Sequence, residues 1–172
     1  MVRISVAVCF VLLLAIPALA QEDFPRIQTS MGYANLGLMD GRHSGFANDT
    51  GFNLTPTWGL NNYMGIYSLG DGITLVSNFF GGKASYRAAR VVPYALAGIG
   101  IGYFSQSTSL GTFSYGTKFA TRIGGGVDVP ISDSMALKFE ASRMGFKFRT
   151  SPDEGWLNGT NFSAGIVFTL SN

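Results

Sequence analysis

The segment VDVPISDSMALKFEA, residues 127–141, alternates apolar and polar side chains on both sides of a polar turn, ISDS. Three charged residues, Asp128, Lys138 and Glu140, share one face, and the opposite face is almost entirely apolar. Successive side chains of a strand point to opposite sides. The charged face could therefore meet water and the apolar face a core, or the charged face could line an interior and the apolar face meet lipid. Both arrangements give the same alternation, so the rest of the chain must decide between them.

The first twenty residues predict export. Arg3 supplies a positive start, VAVCFVLLLAIPALA is apolar, and the small residues Ala18 and Ala20 form an A-x-A cleavage site before Gln21. This pattern is typical of a cleaved secretory signal peptide over residues 1–20, which is too short for a transmembrane helix. We expect one mature domain, residues 21–172, with 172 − 20 = 152 residues.

The composition of residues 21–172 is unusual for a soluble secreted domain. Cys9 lies in the signal segment, so no disulfide, thiol nucleophile or cysteine metal site is expected. Removing Arg3 leaves 12 − 1 = 11 basic against 10 acidic residues, which predicts no nucleic-acid partner. Charged residues make up 13% of the chain, against about 25% in typical soluble domains. A chain with few charged residues and no long apolar helix is typical of a transmembrane β-barrel, because the outer face of the barrel meets lipid.

Turn chemistry divides residues 21–172 into eight segments of strand length. We predict short connections between strands two and three, four and five, and six and seven. At the opposite end, longer loops are predicted between strands one and two, five and six, and seven and eight. The connection between strands three and four at that end is predicted to be short. This pattern favours an all-β fold, an eight-stranded antiparallel up-and-down transmembrane β-barrel with both chain ends in the periplasm. The predicted strands are about 25–39, 49–56, 58–69, 73–87, 91–104, 116–130, 135–149 and 160–170.

Two strands indicate which face is inside. In the last strand, Phe162, Ile166 and Leu170 belong to a large apolar face, and the other face carries small, mildly polar residues. In the fifth strand, glycines alternate with alanine and isoleucine. Small residues on the second face fit a narrow, crowded barrel interior, whereas a solvent face would carry Lys, Glu and Arg. Tyr94 and Leu96 share the glycine face, which makes this strand the harder one to orient.

Three stretches resemble a known family. VVPYALAGIGIGYF, GGGVDVPISDSMALKFEASRMGF and FSAGIVFTL are similar to strands of the small eight-stranded outer-membrane barrels of the OmpA/OmpX kind. The resemblance implies a Gram-negative cell envelope protein in the outer membrane. It implies outer-membrane lipid, lipopolysaccharide and, during biogenesis, the barrel-assembly machinery as partners. It also implies a monomer without a cofactor. The chain ends in FTLSN, whereas the family commonly ends on an aromatic residue.

The inward face is expected to carry a polar network that fills the lumen. If the turn centres on Asp133, residues whose numbers sum to 266 pair, so Asp128 lies opposite Lys138. Buried charges are tolerated when they are paired and hydrogen-bonded. A gated, low-conductance channel is the alternative use of such a lumen. The predicted luminal residues are Gln28, Lys83, Arg87, Arg122, Asp128, Lys138 and Glu140.

The sequence predicts no enzyme and no metal site. The single histidine, His43, stands beside Ser44, and neighbouring residues of an extended segment point to opposite sides. A lipid-modifying outer-membrane enzyme would need these residues to act together. A soluble periplasmic or extracellular barrel that binds a small ligand is a further alternative. Phe46, Phe113 and Trp156 are expected in outer loops as possible partner contacts, with Phe113 and Trp156 alternatively at a membrane rim.

Overall fold

The computed structural model describes residues 24–87, 90–109, 111–149 and 154–171. These residues form eight strands, and none of them belongs to a helix long and apolar enough to cross a membrane. The predicted signal segment, residues 1–20, lies outside the described residues. The strands are β1 (Ile27–Leu38), β2 (Gly41–Asn53), β3 (Trp58–Gly70), β4 (Ile73–Ser85), β5 (Val92–Thr108), β6 (Gly111–Pro130), β7 (Met135–Arg149) and β8 (Glu154–Ser171).

The sheet closes on itself. Each strand pairs antiparallel with the next one in sequence, and β8 pairs antiparallel with β1. The predicted eight-stranded antiparallel up-and-down barrel is therefore confirmed. We call the end where β1 begins and β8 finishes the terminal end, and the opposite end the hairpin end. Closure gives every strand a neighbour on both sides, and residues 111–119 of β6 extend beyond the wall and pair with β5 alone.

The connections at the hairpin end are tighter than predicted. Met39 and Asp40 alone join β1 to β2, with φ of 51° and 59°, as a type I′ hairpin turn requires. Only residues 109–110 separate β5 from β6. The prediction of longer loops at these two places is therefore wrong. The polar residues that suggested loops belong to strands, because the backbone ladder continues through positions whose side chains meet water.

Side chains alternate between the two faces of the barrel wall along every strand. On β7, Lys138 and Glu140 are buried inside, while Phe139 between them is 50% exposed outside. On β5, Tyr94 and Leu96 are buried on the glycine face, which is the inner one. A Cβ atom at Gly102 would lie 2.6 Å from the Phe146 ring. This glycine therefore makes room for a luminal aromatic side chain.

Candidate functional site in the lumen

The lumen has two differently filled halves. Near the terminal end, the inward residues of β2 to β7 include six charged side chains, and we call this the charged half. Near the hairpin end, the lumen is filled by aromatic and aliphatic side chains, and we call this the apolar half. The charged side chains are Asp49, Lys83, Arg122, Asp128, Lys138 and Glu140, all buried.

The charged half contains three cations and three carboxylates, so its formal charge is zero. Lys138 lies at its centre, with its Nζ 2.5 Å from Asp49 and 3.4 Å from Glu140. Arg122 forms an ion pair with the other oxygen of Glu140. Lys83 lies 3.2 Å from Asp128. Removing two opposite charges from water is tolerated only with this kind of direct pairing.

Neutral polar groups complete the network. Asn61 donates a hydrogen bond to Asp49 at 3.2 Å, and the Tyr94 hydroxyl donates to Glu140 at 3.1 Å. The Tyr94 ring also lies near two cations, with its centroid 4.1 Å from the Lys83 Nζ and 5.4 Å from the Lys138 Nζ. Tyr94 therefore contacts both ion-pair groups and links them.

A glycine on the facing strand makes this position of Tyr94 possible. Gly126 on β6 pairs with Tyr94 on β5 and with Glu140 on β7. A Cβ atom at Gly126 would lie 2.6 Å from the Tyr94 hydroxyl oxygen. Since real Cβ atoms do not approach so closely, a larger residue would displace Tyr94 from Glu140. Gly126, the last residue of the GGG run of β6, thus leaves room in the lumen for the Tyr94 side chain.

Two tyrosines lie between the halves. The hydroxyl groups of Tyr63 and Tyr67 are 2.5 Å apart, and Tyr67 donates to the Asn161 side chain at 3.0 Å. The Arg122 guanidinium stacks over the Tyr63 ring with its carbon 3.8 Å from the centroid. Tyr63 therefore contacts both halves through its ring, which lies against Arg122 of the charged half and has its centroid 6.2 Å from that of Phe79 in the apolar half.

The apolar half is a continuous aromatic core. Phe146 contacts Phe79 and Phe104, with centroid distances of 6.3 and 5.4 Å, and Phe148 extends the chain from Phe104 at 5.1 Å. Ring pairs at such distances add to the energy of burial. Aliphatic side chains that are buried around the rings include Leu36, Leu38, Leu69, Leu75 and Met144.

Five of the seven residues predicted for the lumen lie in the charged half: Lys83, Arg122, Asp128, Lys138 and Glu140. Asp128 pairs with Lys138 in the register, as the sum of 266 predicts, but its ion-pair partner is Lys83. The register follows from the turn, whereas the ion pairs depend on which side chains meet across the barrel.

Gln28 and Arg87, the other two residues predicted for the lumen, do not take part in the ion pairs of the charged half. Gln28 accepts a hydrogen bond from Asn53 at 3.1 Å and lines a cavity of about 10 Å³ with Lys83, Asp128 and others. Arg87 lies two residues beyond β4 and donates to the Pro56 carbonyl oxygen at 2.9 Å. The prediction that Arg87 belongs to the inner face of β4 is therefore wrong, because the strand ends at Ser85.

The aromatic residues expected in outer loops belong to strands. Phe46 lies on β2, where it pairs with Tyr33 and Ile66 and is exposed on the outer wall. Phe113 lies on β6, in the part of the β5–β6 hairpin that extends towards the hairpin end. Trp156 lies on β8 and packs on Phe119, with the centroids 6.2 Å apart. The loop assignments are wrong because the strands extend further than predicted.

Sequence reasoning missed Asp49, Asn61 and Tyr94 as members of the network, and it missed the apolar half. Asp49 was treated as the start of a strand beside an outer loop. Asp40 and Gly41 indicate a tight hairpin at this point, although Asp-Gly as its two central residues would make paired numbers sum to 40 + 41 = 81. A two-residue turn at Met39–Asp40 makes paired numbers sum to 79, which places Asp49 opposite Ser30 on the inner wall.

His43 and Ser44 lie on opposite faces of the barrel wall. His43 lies on β2, and its Nε2 hydrogen-bonds the Leu38 carbonyl oxygen at 2.9 Å. Ser44 points to the other side of the wall, where its hydroxyl lies 2.8 Å from that of Tyr33. Within the described residues, no group of three or more His, Cys, Asp or Glu side chains could hold a metal ion.

Little free space remains inside the barrel. Two small cavities in the charged half measure about 10 Å³ each, which is about the space that one water molecule requires. Asp49 and Lys138 line both cavities. In the described part of the chain, Asp128 Oδ1 is a buried side-chain oxygen without a hydrogen-bond partner.

Comparison with known proteins gives the family. Residues 6–169 match the family described as the outer membrane protein β-barrel domain. No curated protein matches the chain. Among solved structures, the chain is similar to Neisserial surface protein A, with 14% identity and a TM-score of 0.67 over 84% of this chain and 96% of that one.

Two further solved structures support the same fold. The N-terminal barrel domain of Pseudomonas aeruginosa OprF is 16% identical, with a TM-score of 0.55 over 82% of this chain and 97% of that one. Ail, the attachment invasion locus protein of Yersinia pestis, is 17% identical, with a TM-score of 0.50 over 83% and 97%. The family match spans nearly the whole sequence, so the chain belongs to the outer membrane protein β-barrel domain family and is located in the outer membrane.

Proposed function

We propose that this outer-membrane barrel is non-catalytic and non-conducting, with a structural or surface-interaction role. The observation that carries the proposal is the filled lumen, in which ion pairs occupy one half and aromatic rings the other. An eight-stranded barrel is just wide enough for side chains to fill it. Function is then left to the outer wall and to the ends of the barrel.

The extended β5–β6 hairpin supports a role in surface interaction. Its pairing continues to Thr108 and Gly111, and its side chains near the tip are exposed. Tyr115 donates a hydrogen bond to Gln106 at 2.6 Å, which fixes one aromatic side chain across the hairpin. An exposed, ordered ribbon with aromatic residues offers contact area at low entropic cost.

Ion flux across planar bilayers tests the closed lumen. We expect the folded wild-type protein to give no discrete conductance steps. Phe79 and Phe80 are neighbours on β4, but Phe79 is buried inside and Phe80 is 53% exposed outside. Steps that change with Phe79→Ala and not with Phe80→Ala would show that ions pass through the lumen, and would contradict the proposal in favour of a gated channel.

Lipid hydrolysis tests the enzyme alternative. His43 and Ser44 lie on opposite faces of the wall, so they do not form a nucleophile and base pair. We expect no release of fatty acid from outer-membrane lipid by the folded protein. Hydrolysis that is lost in His43→Ala while the barrel stays folded would contradict the non-catalytic role.

A further inference from the structure

A groove runs along the outer wall across β6, β7, β8 and β1. Its volume is about 480 Å³. Its walls are the rings of Tyr33, Phe139 and Phe162, and all three are about half exposed. The groove is open to the outside along the barrel wall, and its floor and sides are formed by outward side chains of four neighbouring strands.

The register explains the shape. One outward row pairs Gly125, Ala141 and Phe162 across β6, β7 and β8, and the next pairs Phe139 and Ala164 across β7 and β8. Small and aromatic side chains therefore alternate on adjacent strands. The small residues form a floor between the ring walls, and their spacing gives a slot suited to an extended hydrocarbon chain.

A basic margin lies next to this slot towards the hairpin end. The next outward row contains Arg143 on β7, Thr160 on β8, Gly37 on β1 and Arg42 on β2, each directly paired with the next. The two arginines are therefore separated by two strands that carry small side chains. This row is two residues, about 6.6 Å of strand, beyond the Ala141–Phe162 row.

Arg42 leans from β2 towards the slot. Its Nη1 donates to the Asn35 side chain at 3.0 Å, and its guanidinium carbon lies 5.2 Å from the centroid of the Phe162 ring. A Cβ atom at Gly37 would lie 3.9 Å from the Arg42 side chain, an ordinary contact distance, so Arg42 extends directly over this position of β1. The Arg42 guanidinium is thus held above the same phenylalanine that walls the groove.

These two guanidinium groups are not neutralised by the protein. Arg42 and Arg143 are exposed, and neither forms an ion pair within residues 24–87, 90–109, 111–149 and 154–171. By contrast, all three cations of the charged half are paired. An unpaired guanidinium next to an apolar slot suits an amphipathic anion, because guanidinium binds phosphate in a bidentate manner.

We propose that the β6–β1 groove is the docking site of one phosphorylated glycolipid of the outer leaflet. One acyl chain would lie between Phe139, Phe162 and Tyr33, and a sugar phosphate would bind Arg42 and Arg143. The hairpin end lies in the outer leaflet when both chain ends are periplasmic, as the family resemblance implies. The glycolipid is the phosphate-bearing lipid of that leaflet. This site is independent of the lumen, so an ion-conducting barrel would leave it intact.

Lipid retention measured by native mass spectrometry tests the site. The full-length barrel is released from micelles containing equal amounts of bis-phosphorylated lipid A and phosphatidylglycerol. We expect one retained lipid A per barrel and preference over phosphatidylglycerol. The double variant Arg42→Gln and Arg143→Gln should weaken retention by roughly tenfold for each arginine lost. Monophosphorylated lipid A should be retained less well than the bis-phosphorylated form.

Two further variants test the two parts of the site separately. Arg26→Gln, which removes an exposed arginine at the terminal end, should leave retention unchanged. Ala141→Leu with Ala164→Leu should block the slot and reduce retention without affecting the arginines. Equal retention of phosphatidylglycerol, or unchanged retention in the folded double arginine variant, would overturn the assignment. All changes are on exposed outer-wall or surface positions, and the gel shift between boiled and unboiled samples verifies folding.

Discussion

The charged and apolar halves of the lumen fill the same barrel by different physical means. In the apolar half, rings such as Phe146 pack by contact, and removing a few atoms loses a proportionate amount of energy. In the charged half, Lys138 forms ion pairs with two carboxylates, and removing one partner of such a pair leaves the other charge buried without a counter-charge. Graded losses are therefore expected in the first half and all-or-none losses in the second.

The largest expected effect breaks the pairing at Lys138. Lys138→Met should lower the free energy of unfolding by about 3–5 kcal/mol, because Asp49 and Glu140 lose their shared cation. Urea unfolding of the barrel in lipid vesicles measures the change. Lys118→Met is the matched control in the apolar half. Lys118 lies 5.1 Å from the Phe148 ring centroid, a contact of about 0.5–1 kcal/mol. Equal losses in the two variants would contradict the comparison.

The next prediction checks which face of β7 is the luminal one. Phe139 lies next to Lys138 but points outwards, where it is 50% exposed. Phe139→Arg should destabilise the barrel by roughly 2–4 kcal/mol if this position lies near the middle of the bilayer. The same urea titration provides the measurement, with Phe139→Leu as the apolar control. An arginine that is accepted without loss would place this face away from lipid.

A smaller effect is expected from trimming the aromatic core. Phe146→Leu should lower stability by about 1–2 kcal/mol, since the change removes ring contacts with Phe79 and Phe104 but leaves no buried charge. Far-ultraviolet circular dichroism against temperature, together with urea titration, gives the loss. A decrease as large as that of Lys138→Met would show that the two halves respond alike.

The smallest effect concerns the boundary between the halves. Tyr67→Phe removes the hydroxyl that contacts Tyr63 and donates to Asn161, while the ring stays in place. The expected loss is about 1 kcal/mol, the net value of a typical hydrogen bond. A double-mutant cycle with Asn161→Ala measures the coupling. Zero coupling would contradict a stabilising hydrogen bond between Tyr67 and Asn161.

Much of the fold could be predicted from the sequence. Alternation in β7 and β8, scarce charge and the glycines of β5 together indicated a barrel with an apolar outside. The turn at Asp133 also gave the correct Asp128–Lys138 register. These features are local, because the period of a strand and the geometry of a tight turn depend on neighbouring residues.

The ion-pair partners and the strand ends could not be predicted in the same way. Lys83 meets Asp128 across 45 positions of sequence, and which side chains meet inside a barrel depends on its stagger around the whole circumference. The alternation of β4, if it continued, would place the Arg87 side chain inside the barrel, but β4 ends two residues earlier. The polar strand segments at the hairpin end were likewise predicted to be loops, because a strand exposed to water and an irregular loop have similar amino-acid compositions.

The ion pair between Asp49 and Lys138 has a kinetic consequence. The two residues lie on β2 and β7, separated by 89 positions of sequence, so they meet only as β8 closes against β1. Contacts between such distant segments are costly to form early in folding. An interaction that is absent from the folding transition state acts on the rate of unfolding. We therefore expect the Asp49–Lys138 pair to slow the opening of the closed barrel and to leave the rate of insertion and closure nearly unchanged.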